Sequence, residues 1–106
     1  MARYLLQGSY TTEGIKGVLK DGGTGRREAV SAALEAMGGK LESMYYAFGA
    51  TDVYVIIEAP DNVSALALSM GVASTGTVNV KTTVLMTIEE VDQATKKTIS
   101  YRAPGR

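Results

Sequence analysis

The sequence contains no cysteine, no histidine and no tryptophan. Without cysteine there is no disulfide, no thiol nucleophile and no thiolate metal site. Without histidine there is no Ser-His-Asp triad, no imidazole base and no imidazole-held zinc or haem. Oxygen-rich calcium or magnesium sites stay open in principle, but no acidic run has EF-hand spacing. No metal and no cofactor is therefore expected, and any chemistry falls to Asp, Glu, Lys, Arg, Tyr, Ser and Thr. Excess charge is missing as well, since eleven Lys and Arg balance eleven Asp and Glu. That balance argues against a dedicated nucleic-acid or anionic-membrane binder, so neither is an expected partner. It also leaves little repulsion between copies. No stretch approaches the ~18 consecutive apolar residues of a bilayer span. The opening MARYLLQGSY lacks the apolar core of a signal peptide. A cytoplasmic location is the default expectation.

What is present fits one globular domain with one modest core: 106 residues, 45% apolar and 21% charged. The most strongly patterned stretch is Tyr45 to Pro60, YYAFGATDVYVIIEAP, which predicts two strands joined through Phe48-Gly49-Ala50-Thr51-Asp52. Val, Tyr and Ile fill almost every position from Asp52 to Ala59, so both faces of that strand ask for cover.

Around it the chain predicts a strand over Ala2 to Tyr10, with Tyr4, Leu6, Gly8 and Tyr10 on one face and Arg3, Leu5, Gln7 and Ser9 on the other. Thr11-Thr12-Glu13 starts a helix that carries Ile15, Val18 and Leu19. Asp21-Gly22-Gly23-Thr24-Gly25 breaks it. A second stretch from Arg26 to Met37 puts Ala29, Val30, Ala33, Leu34 and Met37 on one stripe, and Gly38-Gly39 ends it. Lys40 to Phe48 predicts strand two, with Leu41, Ser43, Tyr45 and Ala47 against Glu42, Met44, Tyr46 and Phe48. Strand three divides Val53, Val55 and Ile57 from Tyr54, Ile56 and Glu58. Asp61 caps a helix with Val63, Leu66, Ala67 and Met70 on one side. Strand four covers Thr77 to Leu85, with Val78, Val80, Thr82 and Val84 opposed to Asn79, Lys81, Thr83 and Leu85. Thr87-Ile88-Glu89-Glu90 has capping-box form, with Met86 and Val91 placed as a hydrophobic staple, so a short helix should run to about Lys96. In the tail, Thr98-Ile99-Ser100-Tyr101 has the composition to pair with a sheet edge or to fray.

The order βαββαβ predicts an α+β, ferredoxin-like fold: a four-stranded antiparallel sheet with strands one and three central and both helices on one face. Residues 1–95 form the expected domain and 96–106 the tail. The helix-free face then carries Leu5, Met44, Tyr46, Phe48, Tyr54, Ile56 and Leu85 among Gln7, Glu42, Glu58 and Lys81. That patch is larger than a monomer usually exposes, so a homo-oligomer built through this open sheet face is expected.

These residues resemble the GYD-domain family of small bacterial proteins. The carriers are Tyr10-Thr11 with Gly14 and Lys16, then Arg26-Arg27-Glu28-Ala29 and Gly38-Gly39-Lys40-Leu41. Tyr45-Tyr46-Ala47-Phe48-Gly49, Asp52-Val53, Pro60-Asp61-Asn62, and Gly76 with Val78 complete the set. The resemblance runs from about Ala2 to Val91. It implies a fold of the dimeric α/β-barrel, ferredoxin-like group and self-association, and it implies no particular activity. The family's name-giving turn carries an aromatic just before the aspartate, a place held here by Thr51.

Two groups of side chains could form a site. Gly22 to Arg27 opens onto a helix start with two cations, Arg26 and Arg27, which suits an anion or serves as a plain helix joint; it is not a Walker A sequence. Tyr10, Tyr45, Tyr46 and Tyr54 could orient a carbonyl or phenolic ligand, or fill core and interface. Asp52 could hold the hairpin turn, and Lys81 and Glu58 could pair with each other or across an interface. The leading expectation is a homo-oligomer binding a small organic ligand in a cleft between helices and sheet, through Tyr10, Arg26, Arg27, Tyr45, Tyr46, Asp52 and Tyr54. A cofactor-independent enzyme using Tyr and a carboxylate, and a purely structural or regulatory assembly module, are the alternatives.

Overall fold

Alternation in Ala2–Tyr10 (β1) buries Tyr4, Leu6 and Gly8 and leaves the residues between them half-buried. In a computed structural model, which describes residues 1–106, β1 lies inside a four-stranded antiparallel sheet of order β2-β3-β1-β4. The other strands are Lys40–Tyr46 (β2), Val53–Ala59 (β3) and Val78–Leu85 (β4). Helices Thr12–Ala36 (α1) and Asn62–Ala73 (α2) link them in the expected βαββαβ order, and Ile88–Thr95 (α3) follows. This is the ferredoxin-like arrangement with β1 and β3 central. No helix is long and apolar enough to cross a membrane.

The start and stop signals act locally as the residue types require. Thr11 caps α1 by accepting from the Gly14 N–H, and Asp61 caps α2 by accepting from the Ser64 N–H at 2.8 Å. Thr87 and Glu90 form the reciprocal capping box at 3.0 Å in both directions. Gly38, at φ +82°, turns the chain out of α1. Helix α1 is broken at Gly22, whose φ of +73° and ψ of 170° no helical residue adopts.

The core consists of Tyr4, Leu6, Leu34, Val53, Val55, Ile57, Ala59 and Ala65. Tyr4 is buried to its ring, and its hydroxyl donates to Asn62 Oδ1 at 2.6 Å, joining the sheet to the first turn of α2.

Three expectations are corrected. First, the pairing of β2 with β3 slips between Leu41 and Ser43, leaving Glu42 as an extra residue. Beyond the slip every side chain changes sides. Met44 pairs with Val55 and Tyr46 with Val53 on the helix-covered face, while Tyr45 pairs with Tyr54 on the open face. The open face therefore keeps Leu5, Tyr45, Tyr54, Ile56 and Leu85, and Phe48 stands fully exposed in the turn. Second, α2 packs through Ala65, Leu68 and Val72, and Val63, Leu66, Ala67 and Met70 face outward. A helix apolar all round gives periodicity nothing to select. Ile15 and Leu19 of α1 are exposed as well. Third, Glu58 lies opposite Arg3 and Lys81 opposite Gln7, so they share the open face without pairing. Arg3 reaches Glu42 instead, Nε to Oε2 at 2.7 Å.

Helix α3 and the tail stand away from the body. Ile88, Val91, Ile99 and Tyr101 are exposed, Thr98 to Tyr101 form no strand, and the molecule measures 56 × 33 × 22 Å. Met86 and Val91 both stay largely exposed.

Candidate functional site

The helices do not fill the space above the sheet. Between them lies a cavity of about 280 Å³, at the lower end of the range for small-molecule sites. Its floor is Leu6, Gly8, Val53, Val55 and Val80, and its roof includes Gly17, Val18, Val30 and Ala33 of α1 with Leu68 and Val72 of α2. Glycine shapes both surfaces. A Cβ on Gly14 would fall 1.9 Å from the Thr77 carbonyl oxygen, so glycine here lets α1 approach the start of β4. A Cβ on Gly17 would meet nothing within 4 Å. Packing does not require glycine at that position, although its place inside a helix costs about 1 kcal/mol relative to alanine.

One end of the cavity is polar, and it is built by the end of β1 and the two halves of α1. Tyr10 and Tyr46 lie almost parallel, at 9° with ring centroids 6.3 Å apart, and their hydroxyls are 3.2 Å apart. Burial is the main cause that pushes the Tyr10 phenol well above its ordinary value, followed by the hydrogen bond and charge of Tyr46; the Arg26 guanidinium acts in the opposite sense from close by. Tyr10 is thus held neutral. Arg26 bridges the Gly22 break, Nη1 to Asp21 Oδ2 at 3.4 Å, with both side chains partly exposed. Glu13 and Asp21 share this rim with Arg26. No group of three or more His, Cys, Asp or Glu side chains is placed to hold a metal ion.

Asp52 sets the position of Tyr10. Its carboxylate Oδ2 accepts the Tyr10 backbone N–H at 2.8 Å, its own N–H donates to Gly8 O at 2.8 Å, and its carbonyl accepts the Ala47 N–H at 2.8 Å. Ser9 Oγ adds a bond to the Ala50 carbonyl. The turn therefore closes back on β1 just before the tyrosine.

Of the residues the sequence singles out, Tyr10 and Arg26 line the polar end, Tyr46 stacks on Tyr10 without lining the cavity, and Asp52 holds the Tyr10 backbone. Arg27 is exposed and does not line the cavity. Tyr45 and Tyr54 are cross-strand neighbours on the opposite side of the sheet. The four tyrosines thus form two pairs, not one cluster. Sequence reasoning missed Glu13, Asp21 and Gly17 as parts of this site. Only Gly17 carried a signal, a helix-interior glycine with no turn to explain it.

A search of curated proteins and a search of solved structures each find no match. The family model for the GYD domain matches residues 4–95. The matched span begins in β1 and ends with the last residue of α3, four residues beyond Val91. The chain belongs to the GYD domain family.

Proposed function

We propose that the protein is a homo-oligomeric binder of a small organic molecule, taken up between helices and sheet. The observation that carries this reading is an apolar cavity of about 280 Å³ that the chain's own side chains leave unfilled, bounded at one end by Tyr10 and Arg26, with Tyr46 stacked against Tyr10. Apolar walls without a packing partner forfeit dispersion contacts that an occupant would restore. An assembly-only module has no use for such a space. A cofactor-independent enzyme would need an acid/base pair; Tyr10 is held neutral and Asp52 is engaged with the Tyr10 N–H, so binding is the better-supported reading.

Self-association is supported by Leu5, Tyr45, Tyr54, Ile56 and Leu85 on a sheet face that no helix covers. Two such sheets stacked face to face would form the dimeric α/β-barrel arrangement and remove these side chains from water. Native mass spectrometry of gently purified protein tests the binding: the expected result is a bound mass above the 11.2 kDa chain or its multiples. Bare polypeptide, together with no thermal shift across a metabolite panel, would remove the support for a binder. Light scattering tests assembly, and a particle of single-chain mass at millimolar concentration would rule it out.

A further inference from the structure

The polar end of the cavity brings hydroxyl and guanidinium donors close together. Tyr10 and Tyr46 share one hydrogen bond between two hydroxyls, so one O–H of the pair has no protein acceptor. Arg26 adds five N–H donors beside Tyr10, and its Nη1 reaches Asp21 Oδ2 only at 3.4 Å, a long contact to a half-exposed side chain. The walls beyond are apolar. The charged rim consists of Glu13, Asp21 and Arg26, one cation against two carboxylates. Arg26 is the only cation among the lining residues, so a ligand's second negative charge would meet Glu13 and Asp21 with no counter-charge, which disfavours phosphates and other multiply charged anions. The volume holds on the order of ten heavy atoms, at about 30 Å³ per water-sized group.

Resting on the binding reading above, we propose that the cavity takes a compact, mostly apolar molecule bearing one oxygen acceptor, a neutral carbonyl or a single carboxylate, which is received by the Tyr10–Tyr46 hydroxyl pair and the Arg26 guanidinium. The apolar body lies along the Val53–Val55 floor beneath Gly17 and Val30. A bulkier residue at position 17 would occupy that space, which gives a function to a glycine that packing does not require. Tyr10 remains a protonated donor across the physiological range because burial opposes its ionisation.

Calorimetric titration of the full-length protein with three probes of similar size tests this: acetophenone, phenylacetate and propylbenzene. The expected result is that at least one oxygen-bearing probe binds ten-fold or more tightly than propylbenzene. If phenylacetate is preferred, Arg26→Gln should abolish the preference and Arg26→Lys should restore part of it. If acetophenone is preferred, Tyr46→Phe or Tyr10→Phe should abolish it. In both cases propylbenzene affinity should change less than three-fold, and far-UV circular dichroism should confirm that each variant is folded. Gly17→Leu should weaken all three probes. Equal affinity for the three probes, unchanged in these variants, would overturn the head-group assignment and leave the cavity a binding site. No binding by any probe, with Gly17→Leu indistinguishable from the parent, would overturn both readings.

Discussion

Two glycines one helical turn apart on α1 answer to different constraints. Gly14 has no room for a side chain, because the Thr77 carbonyl occupies the place of its Cβ. Gly14→Ala must push α1 off the sheet edge, and such overpacking costs about 1–3 kcal/mol. Gly17 has open space, so Gly17→Ala should gain up to about 1 kcal/mol of helix propensity. Thermal melts of the two variants should move in opposite directions, and a stabilised Gly14→Ala would show that the close approach is not needed. Tyr10 adds a pH dependence. Its folded-state value is raised, so its contribution is fully present below the ordinary phenol range near 10 and is lost as pH rises through the higher folded-state value. The parent should therefore lose stability above about pH 10, and Tyr10→Phe should lose less over the same interval. A tyrosinate absorbance titration checks the cause: its latest-ionising step should be missing in Tyr10→Phe.

At the level of elements, the clearest signals were those written in consecutive residues. Thr11, Asp61 and Thr87 each cap the helix they precede, Gly22 and Gly38 break and end α1, and the β-rich composition of β1 and β3 placed both strands correctly. The missed features depend on partners distant in the chain. The extra residue at Glu42 shows no local mark, because β2 alternates acceptably in either parity; only its pairing with β3 reveals the slip. The packed side of α2 could not be read from a helix of Asn62 to Ala73 without a single charged residue. A cleft between helices and sheet was expected from the layer order alone, but its walls were not legible, because a void is defined by what several separate elements fail to fill. The capping box of α3 can be isolated experimentally, since little else holds that helix. Thr87→Ala should remove about 1 kcal/mol of local helix stability, seen as lost far-UV helicity while the main melting transition stays in place. A shift of that transition would mean that α3 is docked on the body.

On the scale of the whole molecule, only ten of 106 residues are buried, and sixteen large apolar side chains are exposed. The radius of gyration is 17.0 Å, against roughly 13 Å for a compact chain of this length. The α3 arm and the tail account for part of that excess. Lys96 and Lys97 follow α3 with exposed side chains, so limited trypsinolysis should cut there first and leave a core that melts as the intact chain does. Protection of that site would show that the arm is held by another copy. A small protein with little buried material and a hollow beneath its helices stands to gain contacts from an occupant of that hollow. Any molecule that settles there completes the interior and becomes a structural component of the native state. The folded population would then rise and fall with the supply of that guest, so the fold itself would report its abundance.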